Sequence, residues 1–310
     1  MFKRNFLLII LAGIALSANA QSRKNVRYKD IIFSAVTVDE DLSYNPNASK
    51  EDKKSYLFDI YRPRNDTSQN RPLIIWMHGG GFKFDTKEAK GVTLWSKTFA
   101  QRGYVCASIN YSLSKGNTLF KFDKFMAASY YAVQDAKMAV LYFKEHSKEY
   151  HIDPNKIILA GNSAGGIIAI QTAYSTNIEL AKIAGLPDTV TGAKERELFK
   201  VAGVVNFWGG IFDLEWMKNT RVPIVNILGN LDNVVPPTHK NGPLYGGIAI
   251  HTQADALQIP NRLKIFKDYS HELQRHFNPI FPAGKATQER WLEAGQFTAD
   301  FLYTFVIKPN

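Results

Sequence analysis

The sequence predicts an α/β protein, with a mainly parallel central sheet and helices packed on both of its faces. Short apolar runs recur without polar alternation, as in Leu73-Ile74-Ile75-Trp76-Met77. Such runs suit strands that are covered on both sides. Between them lie longer amphipathic stretches of helical period, and strand–helix alternation of this kind builds parallel sheet. The 310 residues are 45% hydrophobic and 13% aromatic, without repeats or low-complexity tracts. That is enough to bury one large core.

The first residues follow a different pattern. Lys3 and Arg4 give a positive start, residues 6–16 are almost wholly apolar, and Ala18-Asn19-Ala20 sets small residues where a signal peptidase reads. The apolar run is too short for a ~20-residue membrane span. Residues 1–20 are therefore expected to be a cleaved signal peptide, with the mature chain starting at Gln21. The protein is then expected to be secreted or periplasmic, without stable membrane insertion, and residues 21–310 to form a single domain.

Opening strands are expected over residues 26–38 and 56–61, separated by a polar surface loop at 39–55. After the 73–77 strand the pattern predicts helix 93–102, strand 104–109, helix 125–150, strand 156–160 and helix 164–175. Strands 201–207 and 223–228, helix 249–257, strand 262–266 and helix 288–305 complete it. Residues 177–200 stand outside the alternation as a polar insertion, a small cap or a loop.

Charge and cysteine content exclude several classes. The whole chain carries +10, and removal of residues 1–20 takes away Lys3 and Arg4 and leaves +8. The basic residues are scattered among acids, with no arginine-rich helix, so no nucleic-acid partner is expected. A solvated basic surface is the default, and attraction to an anionic polymer or membrane surface is the weaker reading. Cys106 is the one cysteine; it permits no intramolecular disulfide and suits a buried thiol in an apolar strand. There is no H-E-x-x-H, no spaced Cys/His cluster and no phosphate-binding P-loop, so neither metal nor nucleotide cofactor is expected.

Chemistry concentrates at two glycine-rich turns. Gly161-Asn162-Ser163-Ala164-Gly165 follows the apolar run 157–160 and opens a helix. A serine in such a strand-to-helix turn sits in a tight bend that only small neighbours permit. The helix N-terminus places unpaired N–H groups beside its hydroxyl, where negative charge would develop. Five-residue matches arise by chance; the strand before and the helix after make Ser163 the expected nucleophile. His78-Gly79-Gly80-Gly81-Phe82 follows the 73–77 strand. Acyl transfer needs rigid donors aimed at the oxygen of a tetrahedral intermediate, and a glycine loop offers backbone N–H groups that no Cβ screens. Gly79 and Gly80, with the N–H of Ala164, are the expected donors, while Gly81 serves loop geometry and His78 braces the loop. The plainer reading of this segment is a glycine turn joining strand to helix.

With both turns in place, the chain resembles the carboxylesterase and hormone-sensitive-lipase-like branch of the α/β-hydrolase superfamily, over roughly residues 56–305. The resemblance rests on H-G-G-G-F at 78–82, G-N-S-A-G-G at 161–166, and an acid and a histidine in suitable order beyond them. It implies the α/β-hydrolase fold and carboxylic-ester hydrolysis without a cofactor. Residues 131–163, with Gln134-Asp135-Ala136 and Ile152-Asp153-Pro154, are also similar to secreted esterases acting on polysaccharide side chains. Lipases of this group often carry a long N-terminal helical cap. Only a short polar lead-in stands here, which argues against long lipid chains.

The fold's order places acid and base after the serine, which sets aside His78, His146 and His151. His239 follows Asp232 too closely to lie beyond the next strand, His251 falls in a predicted helix, and His276 suits a surface or core role on a further helix. His271, in the loop Tyr269-Ser270-His271-Glu272 after the last strand, is the expected base. Asp232, directly after strand 223–228, is the expected acid. From there it can accept the Nδ1–H of His271 and stabilise the imidazolium. Asp213, after the preceding strand, is the competitor.

The expected substrate is a small-molecule or polysaccharide-linked ester with a short acyl or hydroxycinnamoyl group, cleaved through an acyl-enzyme. Phe120, Phe122, Phe125, Tyr130 and Tyr131 are candidates for an aromatic pocket or for ordinary core, as are Trp208 and Trp216. Residues 188–195 are too polar for a lipid-facing lid. Two other classes stay open. A peptidase or amidase with the same triad usually brings a large extra domain, and a binding protein on a retired scaffold usually lacks a triad member. Neither feature is apparent in this sequence.

Overall fold

The computed structural model describes residues 25–119, 121–187, 198–240, 242–280 and 283–308. An eight-stranded sheet is formed by β1 (Val36–Ser43), β2 (Leu57–Pro63), β3 (Arg71–Met77), β4 (Val105–Ile109), β5 (Ile152–Asn162), β6 (Gly203–Phe207), β8 (Ile224–Gly229) and β10 (Asn261–Phe266). Two short strands, β7 (Gly210–Ile211) and β9 (Tyr245–Gly246), pair separately. The spatial order is β1-β2-β4-β3-β5-β6-β8-β10. The β1–β2 and β2–β4 pairs are antiparallel, and every later pair is parallel. This is the α/β-hydrolase fold the sequence predicts.

Strand periodicity divides the core in two. On β3, Leu73, Ile75 and Met77 face the layer that contains α2 (Phe122–Glu145), α3 (Ala164–Tyr174), α4 (Asn177–Ala184) and α5 (Gly247–Ala256). Ile74 and Trp76 face the opposite layer, formed by α1 (Lys90–Ala100) and α6 (Lys285–Leu302). All five side chains are fully buried, each stabilising the fold by roughly 1.5–3 kcal/mol relative to exposure. Cys106 is buried in the second core, where burial pushes its thiol pKa up and keeps it inert.

The structure departs from the sequence reading at both polar segments. Residues 26–35 are not strand; the N–H groups of Tyr28, Ile32 and Phe33 donate to Arg102 and Gln101 at the end of α1. Arg27 fixes this segment through Asp66 at 2.5 Å. The first strand instead runs into the expected loop, pairing with β2 across an irregularity between Asp39 and Leu42. The insertion at 177–200 begins as α4, started by a Thr176–Glu179 capping box and ended by Gly185 in the left-handed region. Its Leu180 and Ala181 are buried, so this half packs on the domain rather than projecting as a polar loop. His276 lies in an exposed bend, not on a helix. The signal peptide with its cut before Gln21, Phe120, and the polar stretch 188–195 lie outside the described residues.

Trp95 on α1 joins the sheet to the closing helix. Its ring stacks on Trp76 at 5.4 Å, meets Phe207 edge-on at 4.7 Å, and donates its indole N–H to the Trp291 carbonyl at 2.9 Å. Trp95→Ala is expected to destabilise the protein by about 3–5 kcal/mol, the usual cost of emptying a large aromatic site. A urea titration checks this through a lower midpoint at unchanged slope.

Candidate active site

The sequence-predicted residues gather beyond the C-terminal ends of four parallel strands: Gly79 and Gly80 after β3, Ser163 after β5, Asp232 after β8 and His271 after β10. Open α/β sheets place ligand sites at this edge. Ser163 occupies the turn between β5 and α3 at φ 52° and ψ −118°, a conformation that costs an L-residue on the order of 1–3 kcal/mol. Its N–H donates to the Phe207 carbonyl at 2.9 Å. The turn closes only because Gly165 lies against β3, where a Cβ would stand 2.0 Å from the Met77 carbonyl oxygen.

Ser163, His271 and Asp232 form one hydrogen-bonded line. The Ser163 hydroxyl donates to His271 Nε2 at 2.9 Å, and His271 Nδ1 donates to Asp232 Oδ2 at 2.7 Å. The other Asp232 oxygen accepts the N–H groups of Val234 and Val235 at 2.9 and 3.0 Å. Asp232 and His271 are both buried. A fixed carboxylate in a low-dielectric setting selects the imidazole tautomer whose Nε2 faces the serine, and it stabilises the imidazolium form. Asp213 does not join this line; its carboxylate accepts the Glu215 N–H and caps the 3-10 turn Leu214–Asn219.

The His271 loop is shaped from outside. Glu272 and Leu273 both adopt positive φ, 55° and 58°. Trp291 and Arg290, on α6, donate to their carbonyls at 2.8 Å each. Sequence reading missed this support, because no local pattern links a loop to a helix so far along the chain.

Backbone N–H groups lie on two sides of the serine, at Ala164 next to it in the chain and at Gly79 across from it. Among the described residues, no group accepts the N–H of Gly79, Gly80 or Ala164. A Cβ on Gly79 would come within 3.4 Å of the Ser163 Cβ, so the glycine loop lies directly beside the hydroxyl. His78 is buried behind it, stacked on Tyr111 at 4.3 Å and donating to the Gly79 carbonyl at 2.9 Å. Burial lowers the His78 pKa to about 4, so it stays neutral and holds the loop.

A cavity of about 520 Å³ opens at Ser163. Leu119, Phe122, Phe125, Ile167, Val235 and Leu244 supply much of its apolar wall. Of the aromatic candidates, Phe122 and Phe125 line it; Tyr130 is largely buried, and exposed Tyr131 borders a separate depression with Asp135. Trp208 and Trp216 are core residues. No group of side chains suited to a metal ion occurs among the described residues, and none of their helices is long and apolar enough to cross a membrane.

The BD-FAE family model matches residues 58–234, from the second strand through the Asp232 loop. "Probable carboxylic ester hydrolase LipM" of Mycobacterium tuberculosis is 27% identical over 228 residues, covering 73% of this chain and 47% of LipM. Esterase LipQ of the same organism is 30% identical over 139 residues, covering 44% of this chain and 29% of its own length. The chain thus spans less than half the length of either relative. Among solved structures, Thermogutta terrifontis esterase 2 phosphorylated by paraoxon superposes with a TM-score of 0.59 at 19% identity, over 92% of this chain and all of that one. The family match covers more than half of the 310 residues, and the solved neighbour shares the fold; the chain belongs to the BD-FAE family and has the α/β-hydrolase fold.

Proposed function

We propose that the protein is a serine carboxylesterase acting on short-acyl or hydroxycinnamoyl esters of small alcohols or polysaccharides. The continuous hydrogen-bonded line Ser163–His271–Asp232 carries this reading. Ser163 Oγ attacks the ester carbonyl carbon while His271 Nε2 takes its proton. The N–H groups of Gly79, Gly80 and Ala164 hold the oxyanion, and His271 returns the proton to the departing alcohol. Water, activated by the same histidine, then releases the acid from Ser163. Asp232 keeps the imidazole oriented throughout.

The cavity supports a role in acyl recognition. The leaving alcohol must lie within reach of His271 Nε2, on the histidine's side of Ser163. Residues lining the cavity include Ser163, Ala164 and Gly81 but not His271, so it suits the acyl side. Its aromatic wall at Phe122 and Phe125 has room for a ring as well as a short chain. The pattern of residues 1–20 supports export, with Gln21 as the first mature residue.

Ser163→Ala should abolish ester turnover while leaving the fold intact, because the hydroxyl supplies chemistry rather than packing. Mass spectrometry after paraoxon treatment should find a single adduct on the parent and none on the variant. An adduct on another serine in both proteins would refute the assignment.

Asp232→Asn should lower kcat by about 10⁴, by analogy with the serine-protease triad. Asp213→Asn, which weakens only a cap, should leave kcat near the parent's. The reverse order in stopped-flow assays would move the acid to the earlier strand.

Across aryl esters, kcat/KM should stay flat or fall from butyryl to dodecanoyl, and methyl ferulate should be hydrolysed. A long groove would instead add about 0.8 kcal/mol per methylene, roughly fourfold in kcat/KM. Such a steady rise would move the protein to the lipases.

A further inference from the structure

The oxyanion loop continues into a lysine that the esterase mechanism does not use. Gly80, at φ 94°, accepts the N–H groups of Lys83 and Phe84 at 3.1 and 3.0 Å. A Cβ on Gly80 would stand 2.2 Å from the Phe84 carbonyl, so the turn rests directly on this glycine. Three residues past Phe84, Lys87 turns inward with its side chain only 2% exposed. Its Nζ lies 2.6 Å from Asp59 on β2, 2.9 Å from Asp41 at the β1 irregularity, and 2.6 Å from Glu88. Asp59 is itself buried and also accepts the Asp41 N–H at 3.0 Å. The Lys87 N–H donates to Asn110 Oδ1 at 2.6 Å.

We propose that the Asp59–Lys87 ion pair is a positioning device for the oxyanion donors, tying the far end of the glycine loop to the antiparallel edge of the sheet. The proposal rests on the esterase reading above. Stability alone does not account for such a pair. Taking two charges out of water costs several kcal/mol per ion, and apolar replacements of similar volume are often neutral or stabilising. A buried ammonium held at 2.6 Å by a buried carboxylate does, however, fix one geometry. The cluster carries three acids against one base, so its field would not by itself attract an oxyanion. Its influence passes through the backbone from Lys87 to Phe84 to Gly80.

The prediction follows from when the oxyanion donors engage. They bind the transition state more tightly than the ester, so a displaced loop lowers kcat and leaves KM almost unchanged. Lys87→Met strands Asp59 and risks misfolding, so the deciding variant is the apolar pair Asp59→Leu/Lys87→Met, with Lys87→Arg and Glu88→Gln beside it. Active sites are counted by paraoxon titration, and kcat is expressed per titrated site. The double variant should show a Tm near the parent's, kcat lower by roughly 10–100-fold, and KM within about threefold. Its Ki for an aryl trifluoromethyl ketone, whose adduct with Ser163 carries an oxyanion, should rise by the same factor as kcat falls. Lys87→Arg should recover part of the loss, and exposed Glu88→Gln should remain within about twofold of the parent. A double variant with parental kcat and Ki overturns the proposal, as does a loss confined to Tm. A parent that neither hydrolyses aryl esters nor takes label at Ser163 overturns the esterase reading, and this proposal with it.

Discussion

The approach of Gly165 to the end of β3 is the constraint on which the site depends. At this point the first turn of α3 meets the Met77 carbonyl with no space for a side chain. The contact sets how deeply α3 seats over the sheet, and it forces Ser163 into its left-handed conformation. It also brings the serine beside Gly79, two residues beyond Met77. One backbone contact therefore aligns the hydroxyl with the glycine loop. The strain is balanced by the parallel β3–β5 pairing beneath it and by the Ser163–Phe207 hydrogen bond.

Burial then determines what each polar group can do. Asp232 and His271 are withdrawn from water, yet each Asp232 oxygen accepts at least one hydrogen bond. His78 is equally buried but lacks a carboxylate partner, and desolvation keeps it neutral. The two histidines thus have different surroundings: His271 faces Asp232, and His78 stacks on Tyr111.

The central fold was legible because buried parallel strands leave short, mainly apolar runs, such as residues 73–77 and 157–160, separated by stretches of helical period. Ser163, Asp232 and His271 could be singled out for a related reason: each lies in the loop just beyond a strand, in the chain order that the resemblance implies. The opening segment misled because alternation alone does not reveal where backbone hydrogen bonds go; those of Tyr28, Ile32 and Phe33 go to a helix end. The α4 helix was hidden by its shortness, eight residues at the start of a segment that turns polar further on, although the Thr176–Glu179 spacing carries a capping signature. Lys87 and Asp59 could not be paired from sequence, since neither stands out among scattered charges. The cavity wall was only half visible: Phe122 and Phe125 could be suspected, whereas Val235 and Leu244 enter it from a distant loop.

The grip of Trp291 and Arg290 on the histidine loop has a temporal meaning. Ribosomes deliver the Ser163 turn more than a hundred residues before α6 emerges. Until that last helix docks, the carbonyls of Glu272 and Leu273 lack their donors and the loop lacks its shape. A nascent chain therefore holds Ser163 before the His271 loop is set, and the Ser163–His271–Asp232 line closes only once α6 has docked.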